Sequence, residues 1–137
     1  MIVDSSVWID FLGRRPSSTA RSVRDFLVSG GRVYSTSIVM QEVLQGARDL
    51  RHLEALKRAL SPVPICETPD ARQTAILAGR LYAMCRWQGV TIGSPNDCLI
   101  AAVAIEAGQP VLSKDRDFKL LRRFDARLQL VDIATED

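Results

Sequence analysis

Met1-Ile2-Val3-Asp4-Ser5-Ser6-Val7-Trp8 carries two apolar residues, Ile2 and Val3, without polar alternation straight into an aspartate. Such a run reads as a strand buried on both faces, the kind found in parallel sheets flanked by helices. Asp4 then stands at the carboxyl end of that strand, and Ser5 to Leu12 reads as a short helix. Ligands of open α/β sheets bind along that edge. A carboxylate there, with the Ser6 hydroxyl two residues on, points to a metal or phosphate site. The competing reading is an aspartate that only caps the next helix, and the rest of the chain has to decide.

Working outward, strand and helix signals alternate to the end. A loop over residues 13–18 precedes a helix to about Ser29, its apolar face made by Ala20, Val23, Phe26 and Leu27. Residues 32–35 read as a second strand, and Thr36 or Ser37 caps a helix over residues 38–47 that turns Ile38, Val39 and Val43 to the core. A helix from about Leu50 to Leu60 carries the lone His52, to which no role is assigned. Residues 62–66 read as extended. Thr68 caps, with Pro69 at the first helical position, a helix to about Gln88 whose core stripe is Ala71, Ala75, Ala78, Leu81, Tyr82 and Cys85. Ser94, Pro95 and Gly108 bracket a helix apolar nearly all round and therefore central. Residues 110–113 form a third strand, residues 120–124 a short helix, and residues 128–133 a last strand, with a tail from Ala134 that frays. The alternation implies a doubly wound α/β sheet in a single domain, residues 1–137.

The bulk numbers fit that reading. At 47% hydrophobic and 25% charged residues the chain is globular rather than disordered. No apolar run approaches the ~18 residues of a membrane helix, and the N-terminus has no signal-type stretch, so a cytoplasmic protein is expected. Three widely spaced cysteines, Cys66, Cys85 and Cys98, make neither a zinc pattern nor a disulfide framework. A net charge of +2 is too mild to establish nucleic-acid binding alone.

Two further acids stand out. Glu42 lies beside a buried stripe and needs a partner, for which a salt bridge at its rim is the ordinary explanation. Asp97 falls in the first turn of the central helix, where the macrodipole favours an anion; Ser94-x-x-Asp97 also resembles a capping box, and Asn96 is ordinary turn chemistry. With Asp4 and with Asp115 after the third strand, four carboxylates converge on one edge. In a mostly apolar setting they repel and take up protons. A bound divalent cation removes that penalty, and carboxylates with water suit magnesium and manganese. Such a cation lowers the pKa of water and neutralises a phosphoryl group, as phosphodiester hydrolysis requires.

Four stretches in series then resemble one family: Ile-Val-Asp-Ser-Ser at Asp4, Thr-Ser-Ile-x-x-x-Glu-x-x-x-Gly from Thr36 to Gly46, Asn-Asp-Cys-Leu-Ile-Ala-Ala at Asp97, and Leu-Ser-Lys-Asp-Arg-Asp-Phe at Asp115 and Asp117. The chain resembles PIN-domain ribonucleases of the VapC toxin type over essentially its whole length. The resemblance implies a PIN-like α/β domain with a short central parallel sheet of four or five strands flanked by helices. It implies an endoribonuclease dependent on Mg²⁺ or Mn²⁺, a homodimer, and a VapB-type antitoxin that blocks the site, with DNA bound only through the antitoxin in a toxin–antitoxin hetero-oligomer. On it Asp4, Glu42, Asp97 and Asp115 hold metal, with Asp117 an open alternative for the fourth place. Ser6, Ser113 and Asn96 support them, and Arg14, Arg15 or Arg116 hold phosphates. Asp10, Asp125 and Asp132 are surface acids.

Other phosphate chemistries lack their residues. A receiver domain needs an acidic pair after the first strand, and a haloacid-dehalogenase-type phosphatase needs Asp-x-Asp, whereas serines follow Asp4. Glycine-rich dinucleotide and P-loop motifs are absent. A processing nuclease outside toxin systems, or a non-catalytic RNA- or partner-binding domain, remains as the alternative within the fold.

Overall fold

In a computed structural model, which describes residues 1–132, the elements run β1 (Ile2–Val3), α1 (Ser5–Leu12), α2 (Ser18–Val28), α3 (Ser37–Leu44), α4 (Leu50–Leu60), α5 (Ala71–Trp87), α6 (Pro95–Ala107), β2 (Val111–Leu112) and α7 (Asp117–Phe124). The expected last-strand residue Ile133 and the tail after it lie outside the described residues.

β1 and β2 pair in parallel, Ile2 opposite Val111 and Val3 opposite Leu112, and all four side chains are buried. Three single parallel bridges extend this pair: Ile2 to Tyr34, Ser35 to Ile65, and Val111 to Leu130. The five segments therefore lie in the spatial order 65, 34–35, β1, β2, 130. Two are regular strands and three are held only by single bridges, two at residues 34–35 and one each at 65 and 130, because a parallel pairing needs both partners extended over several residues. The segment at residue 65 follows Pro62 and Pro64, which supply no backbone N–H. In chain order this is 3-2-1-4-5, and the winding reverses between β1 and β2. That reversal is the switch point at which a parallel sheet opens a crevice at its carboxyl edge. Asp4 leaves β1 there and Ser113 leaves β2.

α6 forms the centre of the helical layer, with Cys98, Ile100, Ala101, Ala102 and Ala104 buried. Its small residues let α5 pack along it, burying Thr74, Ala78, Leu81 and Cys85. The ends of α6 are set locally. The Ser94 hydroxyl accepts the Asn96 N–H at 3.2 Å, Pro95 sits at the first helical position, and Gly108 closes the helix with φ of 66°. That left-handed turn suits glycine.

Several expectations need correction. α5 is capped by Asp70, whose carboxylate accepts from Arg72 and Gln73, and not by Thr68 with Pro69 inside the helix. Ala71 and Ala75 are exposed and Thr74 takes the core position. α3 stops at Leu44 rather than Ala47. α7 begins at Asp117, three residues early, because the Asp115 carboxylate accepts the Asp117 N–H at 2.9 Å and starts the helix. Asp10 is not a surface acid: it is 7% exposed and takes the Lys114 ammonium. No described helix is long and apolar enough to cross a membrane.

Candidate metal centre

Asp4 occupies the N-cap position of α1, yet its side chain makes no capping bond. Instead Oδ2 accepts from Ser113 Oγ at 2.7 Å and from Ser6 Oγ at 3.1 Å. Oδ1 is buried with no hydrogen-bond partner. The helix-capping explanation of Asp4 therefore fails on geometry.

Asp97 fails its ordinary explanation in the same way. Only half of a capping box forms: Ser94 receives an amide of the first turn, but the Asp97 carboxylate returns no bond to Ser94. Asp97 is 5% exposed, and its Oδ2 is a second buried orphan. A buried carboxylate oxygen without a donor is costly.

Glu42, in the last turns of α3, accepts from Ser5 Oγ at 3.3 Å and lies beside Asn96. The three ion pairs among the described residues involve none of Asp4, Glu42, Asp97, Asp115 or Asp117. The rim salt bridge that would explain Glu42 is not there.

Asp97, Asp115 and Asp117 each bring a carboxylate oxygen within 4.8 Å of the other two. Asp4 and Glu42 stand outside that trio but act on it through their charge. Burial first, then Asp4 and Asp115, push the Asp97 carboxyl up to about 8. Burial likewise raises Asp4, against the opposing pull of Ser113, the Ser5 amide and Ser6. Glu42 is raised by burial and then by Asp4. Carboxylates held this way release their protons readily only when positive charge arrives. Two orphaned oxygens and an all-oxygen donor set fit a hard divalent cation.

Ser113 ties two of the acids together. Its hydroxyl donates to Asp4 and accepts the Asp115 N–H at 2.9 Å. Ser113→Ala should therefore weaken Mn²⁺ affinity by about 10–100-fold, as loss of a partner that orients a ligand commonly does. Calorimetric titration of metal into the two proteins checks it, and equal affinities would remove Ser113 from the site.

Ser6 and Ser113 thus bond Asp4, and Asn96 lies beside Glu42. Arg14 and Arg15 are exposed beyond the far end of α1, and Arg116 is exposed at the start of α7. Sequence reasoning missed three contacts: Ser5 on Glu42, Lys114 on Asp10, and the Gly93 N–H on Asp117 Oδ2 at 2.7 Å. A Cβ at Gly93 would stand 3.3 Å from that same oxygen, so the close approach favours glycine. His52 accepts the Arg48 N–H at 3.1 Å, a local turn contact.

Residues 1–124 match the family described as PIN domain. A VapC ribonuclease of Mycobacterium bovis is 32% identical over 124 residues, covering 90% of this chain and 92% of that protein. Ribonuclease VapC11 of Mycobacterium tuberculosis matches to the same extent, 32% over 124 residues with the same coverage. Among solved structures, VapBC2 from Rickettsia felis bound to a promoter DNA fragment superposes with a TM-score of 0.73 at 18% identity, covering 97% of this chain and 98% of that one. VapBC-1 from nontypeable Haemophilus influenzae gives 0.71 at 21% identity, with 96% of each chain covered. At those identities the structures establish the fold.

Proposed function

The chain belongs to the PIN-domain family, and from that premise we propose that it is a metal-dependent endoribonuclease, the toxin of a VapBC-type toxin–antitoxin pair. The observation that carries the reading is the pair of donorless buried oxygens, Asp4 Oδ1 and Asp97 Oδ2, in an acidic cluster with no cationic partner among the described residues. The curated relatives named as VapC ribonucleases supply the substrate class.

Asp4, Glu42, Asp97 and Asp115 are the residues that would hold Mg²⁺ or Mn²⁺. When bound, the cation supplies Lewis acidity and an activated water for hydrolysis of an RNA phosphodiester. Ser113 and Ser6 fix the Asp4 carboxylate so that Oδ1 stays free, and Ser5 and Asn96 do the same for Glu42. Asp97, whose carboxyl is pushed up to about 8, would release its proton as the site loads. The solved VapBC complexes support a VapB-like antitoxin as partner, with DNA contacted through it. A homodimer draws support from the outward face of α5, where Ile76 is 55% and Trp87 is 70% exposed. We place the protein in the cytoplasm, where its RNA substrates are.

The test is cleavage of an end-labelled panel of structured RNAs with Mg²⁺, Mn²⁺ or EDTA, using wild type and Asp4→Asn. Cuts are expected only with metal, leaving 3′-hydroxyl and 5′-phosphate ends, and the variant should lose at least ~100-fold. Expression should halt growth, and Asp4→Asn should relieve it. Cleavage that persists in EDTA, or in the variant, would overturn the proposal.

A further inference from the structure

We propose that the open cavity between α1 and α2 is a docking site for the sugar–phosphate backbone of the RNA strand being cut. The inference rests on the ribonuclease reading and adds where that substrate is held away from the acids. The cavity encloses about 800 Å³ and draws Arg14 and Arg15 from the loop after α1, Arg21 and Arg24 from α2, and Lys114 from the loop after β2. All four arginines are exposed, and none has a carboxylate within 4.0 Å among the described residues. Arg21 and Arg24 share a helix face at a spacing of three, where like charges repel. Arg14 adopts a left-handed backbone, φ 55°, that an arginine rarely takes. Such a concentration of unneutralised cations is the electrostatic footprint of a polyanion. Ser17 to Ala20 at the start of α2 line the same space, and a helix N-terminus favours phosphate.

The cavity is joined to the acidic cluster by two short covalent paths. Lys114 directly precedes Asp115, and buried Asp10 on α1 holds its ammonium in place. α1 itself runs from Asp4 at the cluster to Phe11 at the cavity, seven residues or about 10 Å at ~1.5 Å per residue. That is about three nucleotides of a stacked strand at ~3.4 Å each. An acidic peptide could satisfy the same charges, but a site one residue from a phosphodiester-cleaving cluster favours the strand whose bond lies there. Arg21 and Arg24 form no part of any sequence motif and are assigned to substrate by this placement alone.

The experiment measures binding of a fluorescein-labelled single-stranded oligoribonucleotide by anisotropy, in EDTA, over a series of salt concentrations. Arg21→Gln/Arg24→Gln should bind at least tenfold more weakly than wild type. Its slope of log affinity against log salt should fall by about 1.4, two lost phosphate contacts at ~0.7 each for a single strand. The charge-matched Arg51→Gln/Arg58→Gln pair on α4 should keep the wild-type slope, and thermal midpoints within a degree or two would show that both pairs fold. An unchanged slope in the α2 pair, or an equal fall in the α4 pair, overturns the proposal. So does a poly-glutamate peptide whose binding depends on Arg21 and Arg24 while RNA binding does not. Because this assay reads binding without metal, its failure and the failure of the nuclease reading appear in different experiments.

Discussion

Asp97→Asn is expected to abolish RNA cleavage while making the metal-free protein more resistant to heat at pH 8. The two effects have one cause. In the folded chain the Asp97 carboxyl is pushed up to about 8, by burial and then by Asp4 and Asp115, against ~3.9 for an unfolded aspartate. The native state thus binds that proton more tightly than the unfolded state does. As pH rises from about 4, unfolded chains lose the proton first, and stability falls until the native group titrates near 8. Asp4 and Glu42, both raised, act in the same direction. The metal-free midpoint should therefore decline between pH 4 and pH 8, and Asp97→Asn should flatten the decline. Each kcal/mol of relieved repulsion is worth about 3 °C in a domain of this size. Saturating Mg²⁺ or Mn²⁺ should reverse the decline in wild type, since it stabilises only the folded site, and should do little for the variant. Cleavage should drop by at least ~100-fold, no less than the loss of an orienting partner. A midpoint many degrees below wild type in EDTA at pH 8 would identify Asp97 as a structural residue and sink the metal-site reading.

What could be read along the chain was whatever is set by near neighbours. The Ser94, Pro95 and Gly108 signals bracket α6 at its observed ends, because capping is a matter of two or three residues. The strand-then-acid pattern at Asp4 and the apolar face of α3 were legible for the same reason. α7 was not: its start depends on how the Asp115 side chain folds back, and Asp115-Arg116-Asp117 does not say which acid serves. The sheet was legible as a set of segments, while the fact that three of them are held only by isolated bridges depends on neighbours far along the chain. The contacts that finish the site bridge 37 residues between Ser5 and Glu42, 24 between Gly93 and Asp117, and 104 between Asp10 and Lys114. No local period records such pairs. Asp10 looked like a surface acid because its partner, Lys114, lies 104 residues along the chain. The acids themselves were legible because each follows a strand or sits in or near a helix that the fold must bring to the same edge.

Asp115→Asn should cost at least ~100-fold in cleavage and a matching loss of Mn²⁺ affinity, whereas Asp117→Asn should cost about tenfold or less. Distance alone does not separate the two, since both belong to the trio within 4.8 Å. Charge and bonding do. Asp115 is among the groups that raise Asp4 and Asp97, so its carboxylate faces the pair with the orphaned oxygens. Asp117 acts on the buried thiols of Cys85 and Cys98 behind the site, and one of its oxygens already holds the Gly93 N–H at 2.7 Å. Its first duty is to pin the loop between α5 and α6, which delivers Ser94 and Asp97. Removing that charged acceptor from a half-buried position should lower stability by about 1 kcal/mol, below the range for fully buried charged hydrogen bonds, or about 3 °C in the midpoint. Asp115 is exposed, and an asparagine oxygen still accepts the Asp117 N–H, so its substitution should not lower the midpoint in EDTA. Cleavage rates and metal titrations on the two variants, with melting curves beside them, decide the assignment. If Asp117→Asn proves the catalytically dead variant and Asp115→Asn the merely destabilised one, the fourth metal-holding acid is Asp117 and the loop is held by other means.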